Sequence, residues 1–408
     1  MTAGRAHGIF KGFNPFMLVQ QPTTKFPPRR HGARGAVALL LGVLAFLWAV
    51  DPAGAIETKA REAIVLEMET GTVLLDKDAD KTMPPASMSK IMTVYLVFER
   101  LRDGRLSLDD KLPVSEKAWR KGGSKMFVRV GEEVRVEDLL QGVIVQSGND
   151  ACIVLAEGLS GSEEAFAKEM TLKARELGLT NSNFANATGW PDPNHWMTTR
   201  DLALLAQRLI RDFPEYYHYF SETEFTYNKI RQHNRNPLLY KSLGADGLKT
   251  GHTQEAGYVL TASAVRNGRR VVLVVTGLTS EKERSEESAR LMSWAFREFD
   301  NYTLFEPGEE VDQAKVWLGS EKTVPLILTD GLKITLSRRA RAAMKVKVVY
   351  DGPIPAPIQA GDQVARLVVS APDTQPIEAP LLAGASIERL GLFGRLTASV
   401  KYLVFGAP

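Results

Sequence analysis

The stretch from Ala256 to Leu278, AGYVLTASAVRNGRRVVLVVTGL, constrains the fold more than any other part of the chain. Two runs rich in β-branched and apolar residues flank Asn267-Gly268, a pair suited to the positive φ angles of a tight hairpin turn. An antiparallel sheet is therefore expected near the middle of the sequence. A second hairpin is expected in AIVLEMETGTVLLDKD, where Gly71 follows Thr70 between two apolar stretches. Between these hairpins the apolar period changes to that of helices. MSKIMTVYLVFERL predicts a helix that ends at Asp103-Gly104, opened by Ser87 as N-cap after Pro84 and Pro85. Residues 161–180 predict another, with Phe166, Met170 and Leu172 inward, and TTRDLALLAQRLIRDF a third, opened by Thr198 and Asp201 as a capping box. Residues 56–300 thus read as an α+β unit: a helical cluster with an antiparallel sheet built from the two ends of the segment. From residue 301 to 385 short alternating strands with Gly/Pro turns predict a small all-β domain without a catalytic constellation.

The 408 residues leave room for two domains. The first 55 differ from the rest. Arg29, Arg30 and Arg34 precede an apolar run from Ala36 to Val50, and Ala53-Gly54-Ala55 has the small-x-small form of a secretory cleavage site. The run is shorter than the roughly 20 residues of a membrane-spanning helix. Residues 1–55 are expected to be a signal peptide, with the mature chain starting near Ile56. The whole chain has 51 basic and 48 acidic side chains; the leader holds six of the former and one of the latter, which leaves 45 and 47. A net charge of −2 on the remainder argues against a nucleic-acid partner. Cys152 is the only cysteine, so an internal disulfide is impossible and the fold must rest on its core.

Three short motifs carry candidate chemistry. Ser87 and Lys90, three apart at a helix start, project on one face beside unpaired N–H groups. A hydroxyl next to an amine whose pKa is lowered by nearby positive charge is an activated nucleophile. Ser147-Gly148-Asn149 follows an apolar run and opens a helix, and Lys249-Thr250-Gly251 leads into a strand. Gly251 leaves that strand edge open to a ligand backbone. Singly, each motif reads as a cap, a loop or a solvated lysine. Together, in one order, with 60 and then 102 residues between Ser87, Ser147 and Lys249, they point to one site.

That order, S-x-x-K then S-x-N then K-T-G, resembles the signature of penicillin-binding proteins and serine β-lactamases. The segments PPASMSKIMT, GGSKMF, IVQSGNDAC, NKIRQHNRN and DGLKTGHTQEAGY are most similar to the low-molecular-mass D-alanyl-D-alanine carboxypeptidases. The resemblance implies the transpeptidase-like fold of that family, followed by its β-rich second domain. It implies removal of the terminal D-alanine from peptidoglycan stem pentapeptides through an acyl-enzyme on Ser87, inhibition by β-lactams, and no metal or cofactor. Ser87 would be the nucleophile, Lys90 its base, Ser147 a proton bridge between Lys90 and Lys249, and Asn149 a holder of Lys90 and the substrate amide. The N–H groups of Ser87 and His252 would form an oxyanion hole beside Gly251. Thr250, with Arg235 or Arg284, would bind the terminal carboxylate, next to Lys249.

Rival chemistries leave no trace. A zinc peptidase would carry H-E-x-x-H and a Ser-His-Asp hydrolase G-x-S-x-G, and neither string occurs. A class A β-lactamase would carry E-x-x-L-N; EMTLK and ELGLT come nearest and fail at the last position. A non-catalytic sensor of the same fold would have lost Lys90, Ser147 or Lys249. A D,D-endopeptidase acting on cross-links remains compatible with the motifs. Residues 386–408 place Leu390, Phe393, Leu396, Val400 and Leu403 on one helical stripe, with Arg395 and Lys401 off it. This predicts an amphipathic tail for the inner-membrane surface, on the periplasmic face if the chain is exported.

Overall fold

The computed structural model describes residues 56–405, so the expected signal peptide lies outside the described residues. Two compact units divide the chain near residue 300.

The first unit is built around a five-stranded antiparallel sheet. Its strands are β1 (Ala63–Glu67), β2 (Val73–Lys77), β3 (Ala245–Thr253), β4 (Gly257–Arg266) and β5 (Arg269–Leu278), in the spatial order β2-β1-β5-β4-β3. Ala63 pairs with Val275 and Glu67 with Val271, so the two ends of the unit do form one sheet. The β4–β5 turn has φ +51 at Asn267 and +77 at Gly268, the double positive φ that a two-residue hairpin of this twist requires. At the other hairpin Gly71 takes φ +71.

One face of the sheet packs on a helical cluster: α1 (Lys90–Arg102), α2 (Val136–Ile144), α3 (Asn149–Ser160), α4 (Glu163–Glu176) and α5 (Thr199–Asp212). Ile91, Met92, Val94, Leu96, Val97 and Phe98 are all buried, so α1 is apolar around its circumference and runs through the middle of the core. The opposite face is covered by α6 (Glu281–Glu298), whose Leu291, Met292 and Ala295 meet Leu260, Ala262, Leu273 and Val275.

Three local expectations are corrected. Ser87 is not an N-cap: α1 is preceded by a 3-10 turn, Ala86–Ser89, and no side chain caps it. Ala86 takes φ +50, which turns the chain sharply after Pro85 and puts Ser87 inside the turn. Leu172 is not inward but 65% exposed. Phe166 and Met170 are buried as expected, and Ala174 takes the place of Leu172, completing the i, i+4, i+8 spacing of one helical face. The capping box of α5 is half made. Thr198 Oγ1 accepts from Asp201 N at 3.0 Å, but the Asp201 carboxylate accepts from Asn181 N and Ser182 Oγ at 2.9 and 2.7 Å.

The second unit is a six-stranded sheet of β6 (Glu310–Trp317), β7 (Thr323–Ile327), β8 (Lys345–Val349), β9 (Ile354–Pro355), β10 (Gln363–Ser370) and β11 (Ile377–Ala383), ordered β8-β10-β11-β7-β6-β9. Its core gathers Val324, Leu326, Leu367, Val369 and Leu381. The unit reaches further along the chain than expected. Ile387 is buried and pairs with Ile358, and Leu390 N donates to Leu318 O at 2.8 Å. The terminal helix α7 therefore spans only Leu392–Phe405. Residues 386–390 belong to the β unit because their alternation, with Ile387 inward, completes a bridge to its core. No helix among the described residues is long and apolar enough to cross a membrane.

Candidate active site

Lys90, the first residue of α1, is completely buried. Its Nζ donates to Ser87 Oγ at 2.8 Å, to Asn149 Oδ1 at 2.8 Å and to the Thr188 carbonyl at 2.6 Å. Three elements meet there: the 3-10 turn, the start of α3 and the loop before α5. The Asn149 side-chain amide is held at both ends, since Oδ1 accepts from Lys90 and Nδ2 donates to Gly122 O at 2.9 Å, while the Asn149 backbone N–H donates to Ser124 O at 2.7 Å. The loop 122–128 is held in turn by Asp150, whose carboxylate accepts from the N–H groups of Met126, Phe127 and Val128. Ser147, just before α3, is buried and takes φ +68.

Burial in the apolar core is the main reason that the Lys90 amine is lowered, from 10.5 to about 8. The charges of Arg235 and Lys121 push the same way. Positive neighbours, which the sequence put first, are thus secondary to desolvation. Lys249 is buried on β3, and burial followed by the charges of Lys90, Arg235 and Arg284 holds its amine well below the ordinary range. Its Nζ donates to its neighbour Thr250 O at 3.2 Å. The expected bridge differs here. Among the described residues Ser147 Oγ makes no hydrogen bond to either lysine: Lys90 Nζ donates to Ser87, Asn149 and Thr188, and Lys249 Nζ to Thr250 O.

β3 forms the other wall. A Cβ on Gly251 would lie 2.8 Å from Ser87 N and 3.0 Å from Ala86 Cβ. The bare Cα therefore admits the nucleophile turn itself, rather than only a ligand backbone, and brings the Ser87 N–H against the strand one residue from His252. The His252 side chain is exposed and lies on Tyr258 at 4.0 Å. The Arg284 guanidinium sits over the Tyr258 ring, 5.7 Å from its centroid; it is buried, and its Nε has no hydrogen-bond partner among the described residues. Arg235 is exposed and donates to Ser124 Oγ at 2.7 Å. Thr250 is buried between them in sequence on β3.

The structure thus brings Ser87, Lys90 and Asn149 into direct hydrogen-bonded contact, sets Gly251 against Ser87, and couples Lys249 electrostatically to Lys90, Arg235 and Arg284. Thr188 is the partner that sequence reasoning missed. It contributes a backbone carbonyl, and a carbonyl contact leaves no mark in residue type. The arrangement holds a hydroxyl against a buried amine of lowered basicity, with cations gathered beside it, which suits acyl transfer from an anionic substrate.

Comparison with known proteins agrees with that chemistry. A family profile described as D-alanyl-D-alanine carboxypeptidase matches residues 49–280, and one described as the C-terminal domain of penicillin-binding protein 5 matches residues 299–389. The chain is 39% identical over 345 residues to D-alanyl-D-alanine carboxypeptidase DacC of Escherichia coli, covering 83% of this chain and 86% of that one. It superposes on penicillin-binding protein 5 of Haemophilus influenzae with a TM-score of 0.72 at 35% identity, covering 82% and 99% of the two chains. It superposes on penicillin-binding protein D2 of Listeria monocytogenes in an ampicillin-bound form with a TM-score of 0.55 at 34% identity, covering 59% and 98%. With both units matched in order by the profiles and the first relative aligned along most of its length, this chain belongs to the D-alanyl-D-alanine carboxypeptidase family.

Proposed function

We propose that the chain removes the terminal D-alanine from peptidoglycan stem peptides and is acylated by β-lactams, both through Ser87. The observation that carries the reading is the set of partners around Lys90 Nζ. A neutral amine has two N–H donors and one lone pair. The Asn149 and Thr188 carbonyls, at 2.8 and 2.6 Å, take the two donors. The lone pair then points at the remaining partner, and the Ser87 hydroxyl becomes the donor in a contact of 2.8 Å.

In this reading Ser87 Oγ attacks the carbonyl carbon of the penultimate D-alanine as its proton moves to Lys90 Nζ. The carbonyl oxygen becomes an oxyanion facing the N–H groups of Ser87 and His252. Collapse breaks the C–N bond, and the departing D-alanine amine takes the proton that Lys90 Nζ received from Ser87. Water then cleaves the ester by the reverse sequence. Thr250 with Arg284 receives the substrate's terminal carboxylate: Arg284 keeps an unused buried donor, whereas Arg235 already serves Ser124. Lys249 supplies positive charge beside them. A penicillin offers the same carboxylate and a strained amide, but its leaving group stays tethered after ring opening and hinders water.

Benzylpenicillin should add one drug mass to the peptide containing Ser87, and Ser87→Ala should lose both that adduct and D-alanine release from a pentapeptide. A label on Ser89 or Ser147, or D-alanine release by the alanine variant at the parent rate, would overturn the assignment.

For the protein's surroundings we propose a periplasmic chain held on the membrane by α7. Leu392 and Phe393 are 78% and 90% exposed, and Leu396 and Val400 are exposed on the same helix. An amphipathic helix with such a face is stabilised by burying it at a lipid interface. The arginines, short apolar run and Ala53-Gly54-Ala55 support export. N-terminal sequencing of protein from the cell envelope should begin at or near Ile56; an intact leader there would sink the export reading.

A further inference from the structure

The 3-10 turn that carries Ser87 adopts a conformation its own residues disfavour. Ala86 at φ +50 stands in the left-handed region that a residue with a Cβ disfavours, and such a residue persists only where its surroundings hold it. β3 bounds the turn on one side through Gly251, and the polar contacts on the other come from residues 184–195. Thr188 O accepts from Lys90 Nζ at 2.6 Å. Gly189 packs so closely that a Cβ on it would lie 1.8 Å from Ala86 O. His195 Nε2 is 2.8 Å from Ser89 Oγ, and Ser89 Oγ donates to Ala86 O at 3.0 Å. On its other side His195 Nδ1 accepts from Ala185 N at 3.4 Å. Ser89 and His195 are both buried.

The donors and acceptors in this set have a single consistent assignment. The Ala185 N–H needs an acceptor, so Nδ1 carries the lone pair and Nε2 the proton. The hydroxyl of Ser89 gives its proton to Ala86 O, so its oxygen receives the one on Nε2. A chain of three donated bonds therefore runs one way, from Ala185 N–H through the imidazole and the hydroxyl to the Ala86 carbonyl. We propose that His195 and Ser89 are positioning residues for acyl transfer, fixing the Ala86 carbonyl and with it the angle at which the turn presents the Ser87 hydroxyl and N–H.

The chain requires a neutral imidazole, since a proton on Nδ1 would face the Ala185 N–H. Burial keeps His195 down at about 4, helped by the charge of Lys90 and opposed by Asp192. The Phe184 ring, edge-on at 5.5 Å, adds no charge. The imidazole is therefore neutral over the range in which Lys90 titrates.

The inference rests on Ser87 as nucleophile, and its test separates the two ideas. Benzylpenicillin acylation is followed by intact mass, and the adduct is mapped in every variant. An ångström of misplacement costs roughly 100-fold, so His195→Leu should acylate about 10- to 100-fold more slowly at saturating drug. Its noncovalent dissociation constant should change little, because the carboxylate site lies on β3 and α6. His195→Gln sets an amide nitrogen near the Nε2 position, still donates to Ser89 Oγ, and should keep most of the parent rate. Ser89→Ala should lose the same factor as His195→Leu, and the double variant should be no slower than Ser89→Ala alone. Parent-rate acylation by His195→Leu, equal loss in the glutamine variant, or losses that multiply in the double variant would each overturn the proposal. If His195→Leu does not fold, Ser89→Ala, which removes one oxygen, decides: acylation at the parent rate refutes the relay. A label off Ser87 in the parent refutes the nucleophile instead.

Discussion

The lowered basicity of Lys90 makes acylation depend on pH in a way that can be worked out in advance. A lysine at its ordinary value of 10.5 is about 0.03% neutral at pH 7, and one at about 8 is roughly 10% neutral. The lowered value, set mainly by burial, therefore supplies about 300-fold more of the base at neutral pH. The base acts when deprotonated, so the rate rises with pH and levels off above the amine's value. Between pH 6 and pH 8 the neutral fraction climbs from about 1% to about 50%, which predicts a rise of about 50-fold in the second-order rate constant for acylation. That constant reports ionisations of the free enzyme, so it is the one to measure, by quenched-flow intact mass with benzylpenicillin from pH 6 to 9.5. Lys90→Arg serves as control: guanidinium keeps its proton across this range, so the folded variant should fall at least about 100-fold and show no such limb. A change of less than about threefold between pH 6 and 8 would refute a Lys90 base activated by burial, as would an arginine variant that acylates at the normal rate.

Two further outcomes are expected. Gly251→Ala should lose acylation by tenfold or more on the same assay, because its methyl would stand 2.8 Å from Ser87 N; a full-rate alanine variant would show that the turn yields without consequence. Deleting residues from Leu392 onward should move the protein from membrane to soluble fractions with activity on small peptides retained, and unchanged fractionation would remove α7 as the anchor.

Much of the fold was legible where a residue type has one structural use. Asn267-Gly268 announced its hairpin because few other pairs accept two positive φ angles, and the apolar periods located the helices of the core. The candidate site was legible through the order of Ser87, Lys90, Ser147 and Lys249, which is rarer than any of the motifs, although the bridge expected of Ser147 is not formed. What escaped was set by backbone or by tertiary packing. Ser87 looked like a cap because nothing local says that an alanine before it will take φ +50. Leu172 looked inward because an apolar residue near the end of a helical stripe gives no sign of which face the core selects. Thr188 acts through a carbonyl that every residue has. Ile387 could be assigned to the tail until its bridge partner, Ile358, was placed beside it.

The pairing of β1 with β5 carries a consequence for when this chain can fold. Ala63 emerges early in synthesis, and its partner Val275 late. Until the later strand exists, β1 and β2 are a lone hairpin, which is marginal in water, and the loop to be closed is nearly the whole unit. Contacts of such high sequence separation form slowly, because chain entropy is lost before they repay it. The strand bearing Lys249 and Gly251 joins β1 only through β4 and β5, so the wall of the site cannot be completed by a nascent chain that stops short of the Asn267-Gly268 turn. The wall that faces Ser87 is thus joined to the first hairpin only by the late pairing that closes the sheet.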